Sequence, residues 1–179
     1  MANVVAVAKD SRHRFSKRLA NQIFVAAGLG VAGDAHSGST VQHLSRVAVD
    51  PAQPNLRQVH LIHAELFNEL AAKGLCVVPG QIGENITTIG LGLLALPRGA
   101  LLHIGPDAIL EITGLRNPCA QLDRFQQGLL AGVLDRGPNG ELIRKAGIMA
   151  IVRESGAITA GDAITVTMPP QPYLPLERV

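Results

Sequence analysis

Cys119 is the residue whose type and position most clearly indicate chemistry. It lies between a predicted strand, residues 108–113, and a predicted helix, residues 118–134, whose apolar residues recur at helical spacing. Asn117 is a good N-cap, and Pro118 suits the first position of a helix. Cys119 is therefore expected in the first helical turn.

Unpaired N–H groups and the positive end of the helix dipole favour a thiolate at that position. Arg116 and Arg124 flank Cys119 and act in the same direction. A thiolate is both a nucleophile and a soft metal ligand. The alternative is a small buried residue without reactivity. The local sequence leaves both interpretations open.

Composition excludes several classes of protein. The 179 residues are 47% hydrophobic, which indicates a globular chain, and only 3% aromatic, which argues against binding single-stranded bases by stacking. A net charge of +2 is too small for a nucleic-acid surface. No segment approaches the roughly 18 apolar residues of a membrane span. Residues 1–10 lack the features of a signal peptide, so we expect a cytoplasmic protein with no nucleic-acid or membrane partner.

The two cysteines are not expected to form a disulfide in a reducing compartment. Cys76 lies in an apolar run, residues 74–79, and is interpreted as a buried strand residue. The distance between Cys76 and Cys119 along the chain excludes a zinc finger built from two cysteine pairs.

The chain is predicted to be mainly β, with many short strands rich in Val, Ile and Thr. The predicted strands are residues 4–8, 22–26, 46–49, 57–62, 75–78, 85–88, 100–104, 108–113, 148–153 and 163–168. A second helix is predicted over residues 64–72, with His63 as its cap and an apolar stripe formed by Leu66, Phe67 and Leu70.

Strands and helices do not alternate, so a doubly wound sheet is excluded. We expect a partly closed β-barrel or sandwich with a few peripheral helices. Residues 104–108 and 156–162 are predicted to connect hairpins. One domain is predicted over residues 1–168, followed by a proline-rich tail, residues 169–179, that either runs extended over the surface or is partly mobile.

Two familiar motifs are rejected on their context. Gly28–Gly33 matches G-x-G-x-x-G, but loop residues follow where a dinucleotide site needs a helix. It is interpreted as a glycine loop that presents Asp34 and His36. His60 and His63 would point to opposite faces of a strand, which disfavours a metal site made of histidines. His36 and His43 are interpreted as loop histidines without a catalytic part.

Two polar loops leave alternatives open. In the turn at residues 80–86, Glu84 and Asn85 either staple the loop backbone or face a ligand, because buried polar groups need partners. The loop at residues 136–147 places Arg144 and Lys145 beside glycines. It either binds an anion or is solvated surface.

Six segments in series resemble the MOSC family, named for the C-terminal domain of molybdenum-cofactor sulfurases. They are residues 9–17, 30–36, 57–62, 80–86, 113–119 and 146–152. The similarity is greatest to stand-alone bacterial MOSC proteins.

The resemblance implies a β-rich barrel related to the pyruvate-kinase β-barrel domain. It implies that Cys119 is the functional thiol, either a ligand of molybdenum held by a phosphorylated pterin or a carrier of persulfide sulfur. It also implies that certain residues line or shape the pocket, namely Lys17, Asp34, His36, Arg57, Glu84, Asn85 and Arg116. Arg144 is added to this set as a candidate cofactor-binding residue. The pyridoxal-phosphate domain of the larger sulfurases has no counterpart here, so no pyridoxal phosphate is expected.

Three hypotheses follow. The first is a protein that binds the molybdenum cofactor through Cys119 and acts as an oxidoreductase on N-hydroxylated compounds, with an external electron donor. The second is a sulfur-transfer protein that supplies a cofactor-assembly partner. The third is a binding module with an inert cysteine. Substrate and oligomeric state stay open.

Overall fold

The computed structural model describes all 179 residues and is mainly β. Its strands are β1 (Asn3–Lys9), β2 (Arg18–Ala20), β3 (Gln22–Ala26), β4 (Gly30–Val31), β5 (Val59–His63), β6 (Ile86–Ile89), β7 (Leu101–Ile104), β8 (Ala108–Leu115), β9 (Leu134–Arg136), β10 (Leu142–Arg144), β11 (Ile148–Glu154), β12 (Gly156–Thr159) and β13 (Ile164–Thr167). The helices are α1 (Leu44–Val47), α2 (Glu65–Ala72), α3 (Gln121–Phe125) and α4 (Leu129–Gly132), and Leu93–Ala95 form a 3₁₀ turn. None of the helices has both the length and the apolar character needed to cross a bilayer.

The sheets are open rather than closed into the barrel that the sequence predicts. Eight strands form one sheet in the order β13-β7-β8-β11-β5-β6-β1-β2. Three strands form a second sheet, β12-β3-β4, and β9 and β10 form a hairpin. No ladder joins β1 and β13. Their starting ends are linked by an isolated bridge from Asn3 to Ala163 and by a few backbone hydrogen bonds, such as Ile164 N–H to Ala2 O at 2.8 Å. A continuous ladder at that point would be needed to close the barrel.

Two apolar clusters stabilise this arrangement. Twenty buried residues, most of them in the two larger sheets, form the main core, among them Val25, Leu61 and Leu110. Nine more form a second cluster beneath α2, α3 and α4, including Leu66, Leu70 and Leu129. The predicted stripe of α2 is confirmed, since Leu66 and Leu70 are fully buried and Phe67 packs beside them.

Several local predictions are wrong. Residues 46–49 fall in and after α1 rather than in a strand, and residues 75–78 are an irregular loop. Cys76 is exposed in that loop instead of buried in a strand. The predicted hairpin at 156–162 does not form, because β12 pairs with β3 while β13 pairs with β7. The hairpin at 104–108 is confirmed, because β7 pairs with β8.

The tail is tied to the domain by backbone pairing. Arg98 N–H donates to Leu174 O at 2.9 Å, and Leu115 N–H donates to Glu177 O at 2.7 Å. Gly114 permits this close approach, since a Cβ there would lie 2.3 Å from Glu177 O. The last four residues of the chain thereby form a wall beside the end of β8.

Candidate functional site

Cys119 opens into a pocket of about 430 Å³ at the end of β8. We call this the cysteine pocket. It is lined by sixteen residues, which include Lys17, His36, Arg57, Asn85, Arg116 and Cys119. Six of the predicted site residues are therefore brought together by segments that lie far apart in the sequence.

The local structure at Cys119 differs from the prediction. Helix α3 begins at Gln121 with Ala120 at the N-cap position, so Asn117 is not the cap and Pro118 is not in the first turn. Residues 116–119 form an irregular segment, and Cys119 is exposed. Its Sγ–H donates to Gln121 Oε1 at 3.5 Å, and its carbonyl accepts from Leu122 N–H at 3.0 Å. Any favourable field at the sulfur must therefore come from neighbouring side chains more than from a helix end.

Arg116 is the cation most closely linked to Cys119. It follows β8 directly, and its backbone N–H donates to Gly147 O at 3.0 Å. Its guanidinium Cζ lies 5.9 Å from the centroid of the Phe15 ring. Burial lowers the pKa of Arg116, while the charges of Cys119 and Glu84 oppose that change. The Nη1 atom is buried with no hydrogen-bond partner, so this donor is available to an anionic ligand.

Asp34 is buried and does not line the pocket itself, but it contacts Lys17, His36 and Asn85, which do. Its Oδ2 accepts from Lys17 Nζ at 2.6 Å and from Asn85 Nδ2 at 3.0 Å, and its Oδ1 lies 3.2 Å from His36 Nδ1. Burial raises the pKa of Asp34, but the hydrogen bonds from His36 and the charge of Lys17 outweigh it and hold the pKa well below its usual range. Asp34 is therefore ionised and positions both Lys17 and His36.

Three histidines meet at the mouth of the pocket. The His36 ring centroid lies 5.2 Å from that of His13 and 4.5 Å from that of His43. Burial first, and then the charges of His36, Arg57 and Arg116, lower the pKa of His43 to about 3. His43 is thus neutral at physiological pH. His36 and His43 are not isolated loop histidines, although nothing in this geometry assigns either a catalytic part.

His60 lies in the pocket wall, whereas His63 lies on another face beside Glu65. The Nε2 of His60 donates to Ala146 O at 2.8 Å, and burial lowers its pKa well below the usual range. The close packing requires Gly147, because a Cβ there would lie 2.9 Å from His60 Nε2. The structure has no group of three or more His, Cys, Asp or Glu side chains placed to hold a metal ion.

The contacts of Glu84 and Asn85 show how each is held in the turn at residues 80–86. Glu84 is fully buried, and its Oε1 accepts from Gly80 N–H and from Thr87 Oγ1, which staples the loop. Burial raises the pKa of Glu84. Asn85 also fixes the backbone, since its Oδ1 accepts from His60 N–H at 3.2 Å, and it lines the pocket.

Arg144 does not line the cysteine pocket. It lies in a second pocket, where it is accompanied by Arg46, Arg57 and Arg178. Sequence reasoning also missed several residues that line the cysteine pocket, namely His13, Arg14, Phe15, Gln121 and Met149. The proximity of His13, Arg14 and Phe15 to Lys17 in the sequence was the one signal that could have identified three of them.

Comparison with known proteins agrees with this description. No curated protein matches the chain. Among solved structures, the YuaD protein from Bacillus subtilis has a TM-score of 0.73 at 23% identity, over 95% of this chain and 98% of that one. YiiM from Geobacillus stearothermophilus has a TM-score of 0.68 at 16% identity, over 98% and 80%. YiiM from Escherichia coli has a TM-score of 0.63 at 17% identity, over 96% and 73%.

These similarities concern the fold, and the family is shown by the sequence itself. The model of the MOSC domain matches residues 34–165, which is well over half of the chain and includes Asp34, Arg57, Arg116 and Cys119. The chain therefore belongs to the MOSC domain family, which is associated with binding of the molybdenum cofactor.

Proposed function

We propose that this chain binds a molybdenum cofactor in the cysteine pocket, with the Cys119 thiolate as ligand of the metal. The observation that carries the proposal is the buried, unpartnered Nη1 of Arg116 behind an exposed cysteine in a pocket with further cations. When bound, such a cofactor supplies a redox-active metal on an anionic, phosphorylated pterin. The residues present suit such a group.

Each wall of the pocket contributes a different property. Lys17, Arg57 and Arg116 offer cationic donors to anionic groups of the ligand, and bidentate contacts from arginine suit phosphate. Asp34 fixes Lys17 and His36 in place. Phe15 and Met149 provide apolar surface in the pocket lining. The protein contributes a single soft ligand, Cys119, rather than a complete set of metal ligands.

The activity we propose is reduction of N-hydroxylated compounds, in which an N–O bond breaks and the oxygen leaves as water. Electrons for that step come from an external donor, and protons come from solvent through the open pocket. The alternative is transfer of sulfur carried as a persulfide on Cys119. The same exposed thiol and cationic walls support either anionic form.

Metal and pterin analysis tests the proposal. Protein purified from a host that makes the cofactor should contain stoichiometric molybdenum and pterin, and Cys119→Ser should lose the metal. Cys76→Ser is the matched control, because Cys76 is also exposed but lies outside the pocket. Protein without molybdenum or pterin, carrying instead one cyanide-labile sulfur on Cys119 by intact-mass spectrometry, would replace the cofactor proposal with sulfur transfer.

A further inference from the structure

A second pocket of about 580 Å³ lies between the end of β8, strand β10 and the last residues of the tail. We call it the arginine pocket. Four arginines line it, Arg46, Arg57, Arg144 and Arg178, together with a single acidic residue, Glu177. Only Arg57 is shared with the cysteine pocket.

The four guanidinium groups lack partners of opposite charge. Every ion pair within 4.0 Å in the structure involves other residues, so no carboxylate neutralises any of these arginines. Burial is the main reason that the pKa of Arg57 falls to about 10, and the charges of Arg46 in this pocket and Arg116 in the cysteine pocket add to it. Four like charges around one cavity repel each other unless an anion lies between them.

The chain as a whole does not explain this concentration of charge. Its net charge is only +2, so a pocket with four arginines and one acid is a local departure from the average. A phosphate ester is the anion that suits it. A dianion with several acceptor oxygens accepts bidentate hydrogen bonds from more than one guanidinium, whereas a single carboxylate is satisfied by one. The cavity volume is in the range of small-molecule sites.

We propose that the arginine pocket is an anion-binding site for the phosphate group of a small molecule, completed by the tail residue Arg178. The site works without molybdenum and without Cys119. Its failure would therefore leave the proposed function of the cysteine pocket untouched.

Calorimetric titration of the purified full-length chain with inorganic phosphate at low salt tests the proposal. The wild type should bind phosphate saturably. Arg144→Gln and Arg178→Gln should each weaken binding about tenfold, or about 1.4 kcal/mol. Glu177→Gln should strengthen binding, because it removes the one acidic side chain in the lining. Arg178 and Glu177 are exposed, so these two variants should fold normally.

The controls separate this site from general attraction and from the cysteine pocket. Arg98→Gln removes an exposed arginine outside both pockets and should leave phosphate affinity within about twofold. Cys119→Ser should bind phosphate like the wild type. The proposal is overturned if the wild type shows no saturable binding, or if Arg98→Gln weakens it as much as Arg144→Gln. It is also overturned if Arg116→Gln abolishes binding while Arg144→Gln and Arg178→Gln do not, because the phosphate would then lie in the cysteine pocket.

Discussion

The Cys119 sulfur lies in surroundings that differ from those of Cys76, although both thiols are free and exposed. Lys17 and Arg116 share a pocket with Cys119, whereas Cys76 lies in the loop after α2. A cleft lined by one sign of charge raises the local concentration of ions of the opposite sign. The two cysteines thus provide an internal comparison for the field of the pocket.

We expect anionic iodoacetate to react with Cys119 several-fold faster, relative to neutral iodoacetamide, than it does with Cys76. The ratio of the two rates cancels the intrinsic nucleophilicity of each thiol, so it reports attraction of the reagent by the pocket. Peptide mass spectrometry of a timed reaction measures both sites in one sample. Arg116→Gln and added salt should each reduce the ratio at Cys119. Equal ratios at the two cysteines would show that the cations do not act at the sulfur.

Residue types alone located part of this site. Cys119 and Arg116 stood out because they follow a predicted strand, and the Glu84–Asn85 pair stood out because it lies in a polar turn that enters one. Asp34 and His36 stood out after a glycine loop. The meeting of His13, His36 and His43 could not be predicted, because the contacts depend on how the segment between β4 and β5 folds back over the pocket.

At the scale of elements, the segment that follows Cys119 shows what a periodic pattern can establish. The spacing of Leu122, Phe125, Leu129 and Val133 predicted one helix. Leu122, Leu129 and Val133 are fully buried in a single cluster, whereas Phe125 is 38% exposed. The helix is nevertheless broken into α3 and α4 by Gly128, which has a φ of 86°. The pattern identified the buried face, but it could not show that the backbone changes direction within it.

Gly128→Ala should destabilise the protein by about 1–2 kcal/mol, because an L-residue is strained in the left-handed region. Space is not the cause, since the nearest atom to an added Cβ is Leu75 Cδ2 at 3.9 Å. Urea unfolding measures the change in the free energy of unfolding. Gly92→Ala is the control, because Gly92 has a φ of −69° and a similarly distant neighbour at 3.9 Å. It should change stability by less than about 0.5 kcal/mol. Similar losses in both variants would contradict an origin in backbone strain.

At the scale of the whole molecule, the sequence predicts a mainly β class but not the order of the strands. Strands β5 and β6 are parallel and are joined through α2, whereas all other pairs in the sheets are antiparallel. Strand β12 crosses to the second sheet. These pairings join segments that lie far apart in the sequence, so local composition does not predict them. The resemblance to a family supplied what the local patterns lacked, because it relates all six site segments to one fold.

The packing of the whole domain also leaves several histidines with little access to solvent. Burial lowers the pKa values of His43, His60 and His63, and that of His43 falls to about 3. In the unfolded chain these side chains bind protons near pH 6.5. The unfolded state therefore binds more protons than the folded state below that pH. The free energy of unfolding should be highest above about pH 6.5 and should fall as the pH decreases.

Each histidine that stays neutral in the folded state contributes up to about 1.4 kcal/mol of lost stability per pH unit below 6.5. Glu84, whose pKa is raised by burial, acts in the opposite direction at the acid end of the range, so the net slope is smaller than the sum of the histidine contributions.

We expect urea unfolding between pH 7.5 and pH 5.5 to show a steady loss of stability in the wild type. His43→Gln should reduce the slope by about the contribution of one proton. Ser45→Ala, a change in the same pocket wall that removes no titratable group, should keep the slope of the wild type. If His43→Gln instead leaves the slope unchanged, then His43 binds a proton as readily in the folded protein as in the unfolded chain, and the mouth of the cysteine pocket gains a positive charge below about pH 6.5.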